Sequence, residues 1–164
     1  MAEQNTSAKP ALGRLVAPIG EMIPLMTELF SKGKSVAFSP RGTSMRPMLR
    51  EGRDSVILSR VDRPLKKYDV ILYRRADDTY VLHRIVSVEG DTYRCVGDQQ
   101  FLTESVAHDQ VIAVLTAFRR RGRLRKSAAS TYRLYVVLWN RSRGLRYFFL
   151  RVRRRLKRML TKKK

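Results

Sequence analysis

The sequence predicts a mainly β, antiparallel domain with a short N-terminal helix in front and a basic helical tail behind. Three observations carry this. Short runs of β-branched and aromatic residues recur at close intervals. Gly and Asp turns join them. Positive charge is concentrated at the C-terminal end of the chain.

Residues 1–15 are small and polar and read as disordered. Between Ala17 and Lys32, Met22, Met26, Leu29 and Phe30 recur at helical spacing, and Ser31-Lys32-Gly33-Lys34 supplies a stop. Pro24 is expected in the first turn of that helix, where its missing N–H costs nothing. Strands are predicted at Lys34–Phe38, Ser55–Ser59, Tyr68–Tyr73, Tyr80–Val88, Thr92–Val96 and Asp109–Phe118. Glu89-Gly90-Asp91 makes the fifth strand the hairpin partner of the fourth. Arg119–Ser130 reads as a basic linker. Leu138, Leu145, Phe149, Val152, Leu156 and Leu160 then fall at roughly helical spacing among arginines, as in cationic amphipathic helices broken at Gly144. The expected organisation is an N-terminal segment and helix over 1–33, a β domain over 34–118, and a linker and tail over 119–164.

The formal net charge of +21 is unevenly placed. Residues 118–164 hold 19 of the 35 Lys and Arg and no Asp or Glu, whereas residues 1–117 hold 16 basic and 14 acidic residues. Any partner that reads the charge therefore reads the tail. Phosphates of nucleic acid would suit it, but no base-reading motif accompanies the charge. Leu, Phe, Tyr and Trp interleaved with Arg favour an anionic membrane surface for 131–164. A docking surface for acidic proteins is the third reading. No apolar run approaches the ~20 residues of a membrane span, and no basic-then-apolar leader opens the chain. The single Cys95 forms no internal disulfide and no cysteine-based metal site, and no cofactor or metal is implied. The expected location is the cytoplasm or the cytoplasmic membrane face, held peripherally.

Chemistry concentrates in three stretches. Ser44 follows Gly42-Thr43 in a turn closed by Pro47. His83 lies in the apolar strand Val81–Val86. Asp98 follows Gly97 in Val96-Gly97-Asp98-Gln99-Gln100. A serine hydroxyl becomes a nucleophile when a base takes its proton. An imidazole is such a base near neutrality, and a carboxylate can hold its other nitrogen. The spacings, 39 residues from Ser44 to His83 and 15 from His83 to Asp98, permit this arrangement without demanding it. They place Ser44 on a loop beside the His83 strand and Asp98 at the end of its hairpin partner. Strand parity puts Val81 and Ile85 on the face of His83 and Leu82, Arg84 and Val86 on the other, both largely apolar. Gly42 would let backbone approach a substrate carbonyl, and the Ser44 amide could stabilise an oxyanion.

The same stretches carry a family resemblance. Gly42-Thr43-Ser44-Met45-Arg46-Pro47-Met48-Leu49 resembles the nucleophile box G-x-S-M-x-P-x-L of signal peptidase I. Tyr68-Asp69-Val70-Ile71 resembles the following G-D-V-V strand, with Tyr68 where glycine is usual. Leu82-His83-Arg84-Ile85-Val86 resembles the strand bearing the general base, histidine as in archaeal and endoplasmic-reticulum-type enzymes rather than the lysine of the bacterial and SOS-repressor branches. Gly97-Asp98-Gln99-Gln100 resembles the G-D-N-N box. The resemblance spans about residues 34 to 118. It implies a signal-peptidase-type β fold and a serine endopeptidase acting on a leader or precursor peptide. Ser44 would be the nucleophile, His83 the base, and Asp98 or alternatively Glu104 the acid. Gly42, Thr43 and Met45 would line the oxyanion and substrate region. The family is normally membrane-anchored, and no segment of this sequence is expected to form a spanning helix. The rivals are a silent membrane- or partner-binding adaptor and a nucleic-acid-binding, repressor-like protein, for which residues 1–33 are too short to hold a helix-turn-helix.

The remaining candidates have plainer readings. Lys66 and Lys67 are rival bases in a Pro64-led loop and read as solvated charges. His108 reads as a surface histidine, Arg53-Asp54 and Asp69 as ion-pair or turn residues, and Cys95 as packing.

Overall fold

The computed structural model describes residues 19–142 together with 144, 148 and 152. The expected disorder of 1–15 and most of the tail beyond Arg141 lie outside the described residues. Helix α1 spans Ile19–Ser31. It is followed by strands β1 (Val36–Phe38), β2 (Ser55–Ser59), β3 (Val70–Arg74), β4 (Tyr80–Glu89), β5 (Thr92–Val96), β6 (Glu104–Ala107), β7 (Val111–Arg120) and β8 (Arg123–Lys126), then helix α2 (Ser130–Arg141). The strands form one antiparallel sheet in the order β1-β2-β7-β3-β4-β5-β6, with β8 paired to β7 beside them.

In α1, Met22, Met26 and Phe30 are buried, as their spacing requires of an amphipathic helix laid on a sheet. Pro24 falls beyond the first turn, because the helix begins earlier than its proline predicts.

The sheet is covered on both faces. Leu82, Leu72, Val70, Leu115 and Phe118 turn toward α1, the Met48-Leu49 turn and α2. Ile71, Tyr73, Ile85, Cys95, Val106 and Val114 form a second cluster on the other face. Strand β4 is thus buried on both sides over Leu82–Ile85, the outcome its doubly apolar pattern predicts.

Two strands escape the sequence reading. β6 is only four residues long and begins at a charged residue. β8, Arg123-Leu124-Arg125-Lys126, lies inside the expected linker. Its backbone completes the β7 ladder while its side chains stay exposed. The boundary expected at 118 is displaced as well. β7 runs on to Arg120, and Tyr132 and Val136 of α2 belong to the main core. α2 is therefore part of the domain and not an appendage.

Tyr68 has φ 80°, in the left-handed region that glycine occupies without penalty. Its amide donates to the Ile85 carbonyl (2.8 Å), and its carbonyl accepts from Arg84 Nη1 (3.0 Å), which fixes this conformation. Tyr68 stands where the resembled family usually has glycine.

Candidate active site

Ser44 sits in the turn between β1 and β2, which contains a cis Arg46–Pro47 bond and is anchored by buried Met45, Met48 and Leu49. The turn is held from below by the loop after β5. The Gln99 amide donates to the Ser44 carbonyl at 2.7 Å. Gly97 makes that approach possible: a Cβ there would lie 2.8 Å from the Ser44 carbonyl oxygen and 2.9 Å from Ser44 Cβ, closer than atoms tolerate. Gly97 is thus a steric necessity of the Ser44 position.

Ser44 and His83 line one cleft of about 230 Å³, with Gly42, Met45, Leu49, Tyr80, Val81, Leu82 and Arg75 among its walls. Thr43 is exposed and stands outside that lining. Gly42 has φ 91°, so the glycine serves the turn's conformation; a Cβ there would meet no atom within 4 Å. Its amide donates to Glu51 Oε2 at 3.1 Å, which withdraws it from oxyanion binding.

The carboxylate beside His83 is that of Glu104. His83 Nδ1 lies 3.1 Å from the Tyr73 hydroxyl and 3.8 Å from Glu104 Oε1. The Tyr73 hydroxyl in turn donates to Glu104 Oε2 at 2.8 Å. Arg75 closes the group by pairing with both Glu104 oxygens, Nε to Oε2 at 2.7 Å. A phenol has one proton, and here it goes to Glu104. Toward His83 the phenol oxygen can only accept, so Nδ1 carries the imidazole proton and Nε2 keeps a lone pair. That is the tautomer a general base needs.

The electrostatics agree. Burial pushes the His83 pKa down to about 4 against the opposing pull of the Glu104 charge, so the ring is neutral at pH 7. The Arg75 hydrogen bonds hold Glu104 below the usual carboxylate range despite its partial burial. Burial and the Glu104 carboxylate together raise the Tyr73 phenol, which keeps its proton.

Asp98, expected behind His83, belongs to a different pair. Both its oxygens accept from Arg84, Nε at 2.8 Å and Nη2 at 2.8 Å, in a fully buried bidentate bridge. Arg84 also donates to the Tyr132 hydroxyl of α2 (3.0 Å) and to Met48 Sδ (2.9 Å). Burial alone would depress the guanidinium pKa, but Asp98 outweighs it and the value is raised. The reason Asp98 faces Arg84 is a β-bulge. Next to the Gly90-Asp91 turn, β4 and β5 pair Glu89↔Thr92, Val88↔Tyr93 and Ser87↔Arg94; continued unbroken, that register sets His83 opposite Asp98. Val86 is an extra residue, and beyond it the pairs become Ile85↔Cys95 and Arg84↔Val96. A one-residue slip exchanges faces. Asp98, two residues past Val96, falls on the Arg84 face. Glu104, paired with Cys95, falls on the face of Ile85 and His83.

Tyr73 and Arg75 were missed from the sequence. The available signal was parity: Tyr73 pairs with Val81 in the β3–β4 ladder, diagonal to His83 on the same face. The other candidates lie elsewhere. Lys66 and Lys67 line a separate cavity against α2. Asp69 pairs with Arg63 (2.7 Å), Arg53 with Asp54 (2.6 Å), and exposed His108 with the Tyr93 hydroxyl (2.8 Å). The buried Cys95 thiol is pushed up to about 12 by burial and stays protonated. No protein-family model matches the chain, and no curated protein matches it.

Proposed function

We propose that the chain is a serine endopeptidase of the signal-peptidase type, with Ser44 as nucleophile, His83 as general base and Glu104 as the acid behind it. The observation that carries this reading is the shared cleft of Ser44 and His83, with the imidazole held in its basic tautomer by Tyr73 and Glu104. Ser44 Oγ attacks the scissile carbonyl carbon as His83 Nε2 takes its proton. The oxyanion that forms is met by the Ser44 amide. Collapse breaks the C–N bond, and the leaving amine takes the proton from His83. Water, deprotonated by the same nitrogen, then hydrolyses the acyl-enzyme.

The substrate is an extended leader or precursor peptide with an apolar side chain at the cleft, where Met45, Leu49 and Leu82 supply apolar walls. β1 is the terminal strand of the sheet and leads into the Ser44 turn, so a peptide can add along its open edge. Among the described residues no helix is long and apolar enough to cross a membrane.

A fluorophosphonate probe tests the reading. Wild type should be labelled at Ser44, and Ser44→Ala should be silent while keeping its circular dichroism and melting temperature. Wild type that resists the probe, and that leaves a panel of leader peptides intact, would sink the peptidase reading in favour of the adaptor.

A further inference from the structure

Helix α2 is apolar on two sides. Its inner side carries Tyr132 and Val136 in the core, with Trp139 Nε1 donating to the Asp98 carbonyl at 3.1 Å. Its outer side carries Leu134 and Leu138, which are 62% and 59% exposed, with Val137 at 41% beside them. Spacings of three and four residues put these on one stripe. A solvated helix face has no need of such a stripe.

The charges flanking it on α2, Arg133 and Arg141, have one sign. Arg133, Val137 and Arg141 form the neighbouring row, and they look across a groove onto Lys67 and Tyr68. Lys66 and Arg133 line one part of that groove, of about 250 Å³, over a floor that includes Tyr132 and Val136. Among the described residues the one carboxylate lining it, Asp69, is engaged by Arg63 at 2.7 and 3.0 Å. Lys67 Nζ lies 5.3 Å from the centroid of the Tyr68 ring, so its stem lies along the groove wall. Residues 119–164 contain no acid at all. Phe148 and Val152 are helical and exposed, so apolar exposure recurs beyond α2.

We propose that this face is a docking surface for an anionic phospholipid bilayer. Leu134, Val137 and Leu138 enter the acyl boundary, and Lys66, Lys67, Arg133 and Arg141 meet lipid phosphates along the groove. Apolar side chains flanked by cations are the chemistry of an interfacial helix. Nucleic acid would use the cations but leave both leucines without a role. The proposal stands apart from the peptidase reading, since it involves no residue of the Ser44 cleft.

Flotation of the full chain tests it, using vesicles of phosphatidylcholine alone or mixed with phosphatidylserine. Wild type should float with the mixed vesicles and far less with the neutral ones. Leu134→Ser/Leu138→Ser replaces exposed side chains, so it should melt like wild type, yet bind the mixed vesicles about tenfold more weakly or worse. Lys66→Glu/Lys67→Glu should weaken binding and flatten its dependence on salt. Ser44→Ala should float like wild type. Three results would overturn the proposal. One is equal flotation of the leucine variant and wild type, which would assign binding to residues beyond α2. Another is equal flotation on neutral vesicles. The last is binding to single-stranded RNA with no flotation at all.

Discussion

Replacing Tyr73 by Phe removes one oxygen from the group behind His83 and leaves the ring in the buried cluster that also holds Ile85 and Cys95. Two hydrogen bonds vanish: the 2.8 Å donation to Glu104 and the 3.1 Å acceptance from His83 Nδ1. The nearest remaining acceptor for Nδ1–H is Glu104 Oε1 at 3.8 Å, too far for a good bond. A buried donor without a partner costs about 1–3 kcal/mol. The imidazole can avoid that cost by moving its proton to Nε2, which leaves no lone pair on the nitrogen proposed as the base. The labelling rate of Ser44 by a fluorophosphonate should therefore fall about tenfold to a hundredfold. Loss of one donor also leaves Glu104 more fully charged toward His83, so the acid limb of the labelling profile should move up from about 4. The assay is the second-order labelling rate against pH, with wild type, Tyr73→Phe and Glu104→Gln in parallel. A Tyr73→Phe protein that labels at the wild-type rate, with an unmoved acid limb, would refute the tautomer argument.

Other substitutions separate the two carboxylates. Asp98→Asn strands Arg84 in the core and should lower stability by roughly 3–5 kcal/mol in urea titrations. Glu104→Gln should leave most stability in place and slow labelling of Ser44 by about tenfold to a hundredfold; the opposite ranking would return Asp98 to the catalytic role. Gly97→Ala pushes a methyl to 2.8 Å from the Ser44 carbonyl oxygen and should cost about 1–3 kcal/mol, with labelling reduced further than stability predicts. Stability should also fall with acid. The unfolded imidazole takes up a proton near its ordinary 6.5, the folded one only near 4, so the unfolded state binds more protons between those values. The loss across that window is roughly 3 kcal/mol, read from urea midpoints, and His83→Gln should not show it.

Much of this was legible in local chemistry. The alternating and continuous apolar runs located six of the eight strands, because those strands bury their side chains. β8 escaped because it buries none: all four residues are exposed, and it exists through backbone pairing with β7. β6 escaped because a strand of four with one fully buried residue has no period to read. Ser44 and His83 could be singled out by residue type, and the structure puts both in one cleft. The groups behind them were not, because Tyr73, Arg75 and Glu104 look like ordinary strand and surface residues until a ladder places them together. The charge asymmetry was legible as a number, but it suggested an appendage, since nothing in composition distinguishes a docked helix from a loose one.

The acid is where sequence order and three-dimensional order part. His83, Asp98 and a two-residue turn midway between them describe a hairpin in which the two side chains oppose each other. The inference holds as long as every residue of both strands is paired. Val86 is not, and the half-turn of side-chain direction it introduces gives Arg84 and His83 a carboxylate each: Arg84 takes Asp98, and His83 takes Glu104 through Tyr73. This separation serves both pairs. Arg84 is fully buried and needs a full negative charge beside it. His83 must stay neutral to serve as the proposed base, and a carboxylate in direct contact would raise its pKa toward the protonated form. Interposing a phenol and neutralising Glu104 with Arg75 gives the imidazole an oriented proton without that charge at full strength. The bulge also ties the site to α2. Asp98 holds Arg84 through its carboxylate and Trp139 through its carbonyl, and the next amide, Gln99, holds Ser44. A shift of α2 against the sheet would reach Ser44 through three hydrogen-bonded residues, Trp139, Asp98 and Gln99.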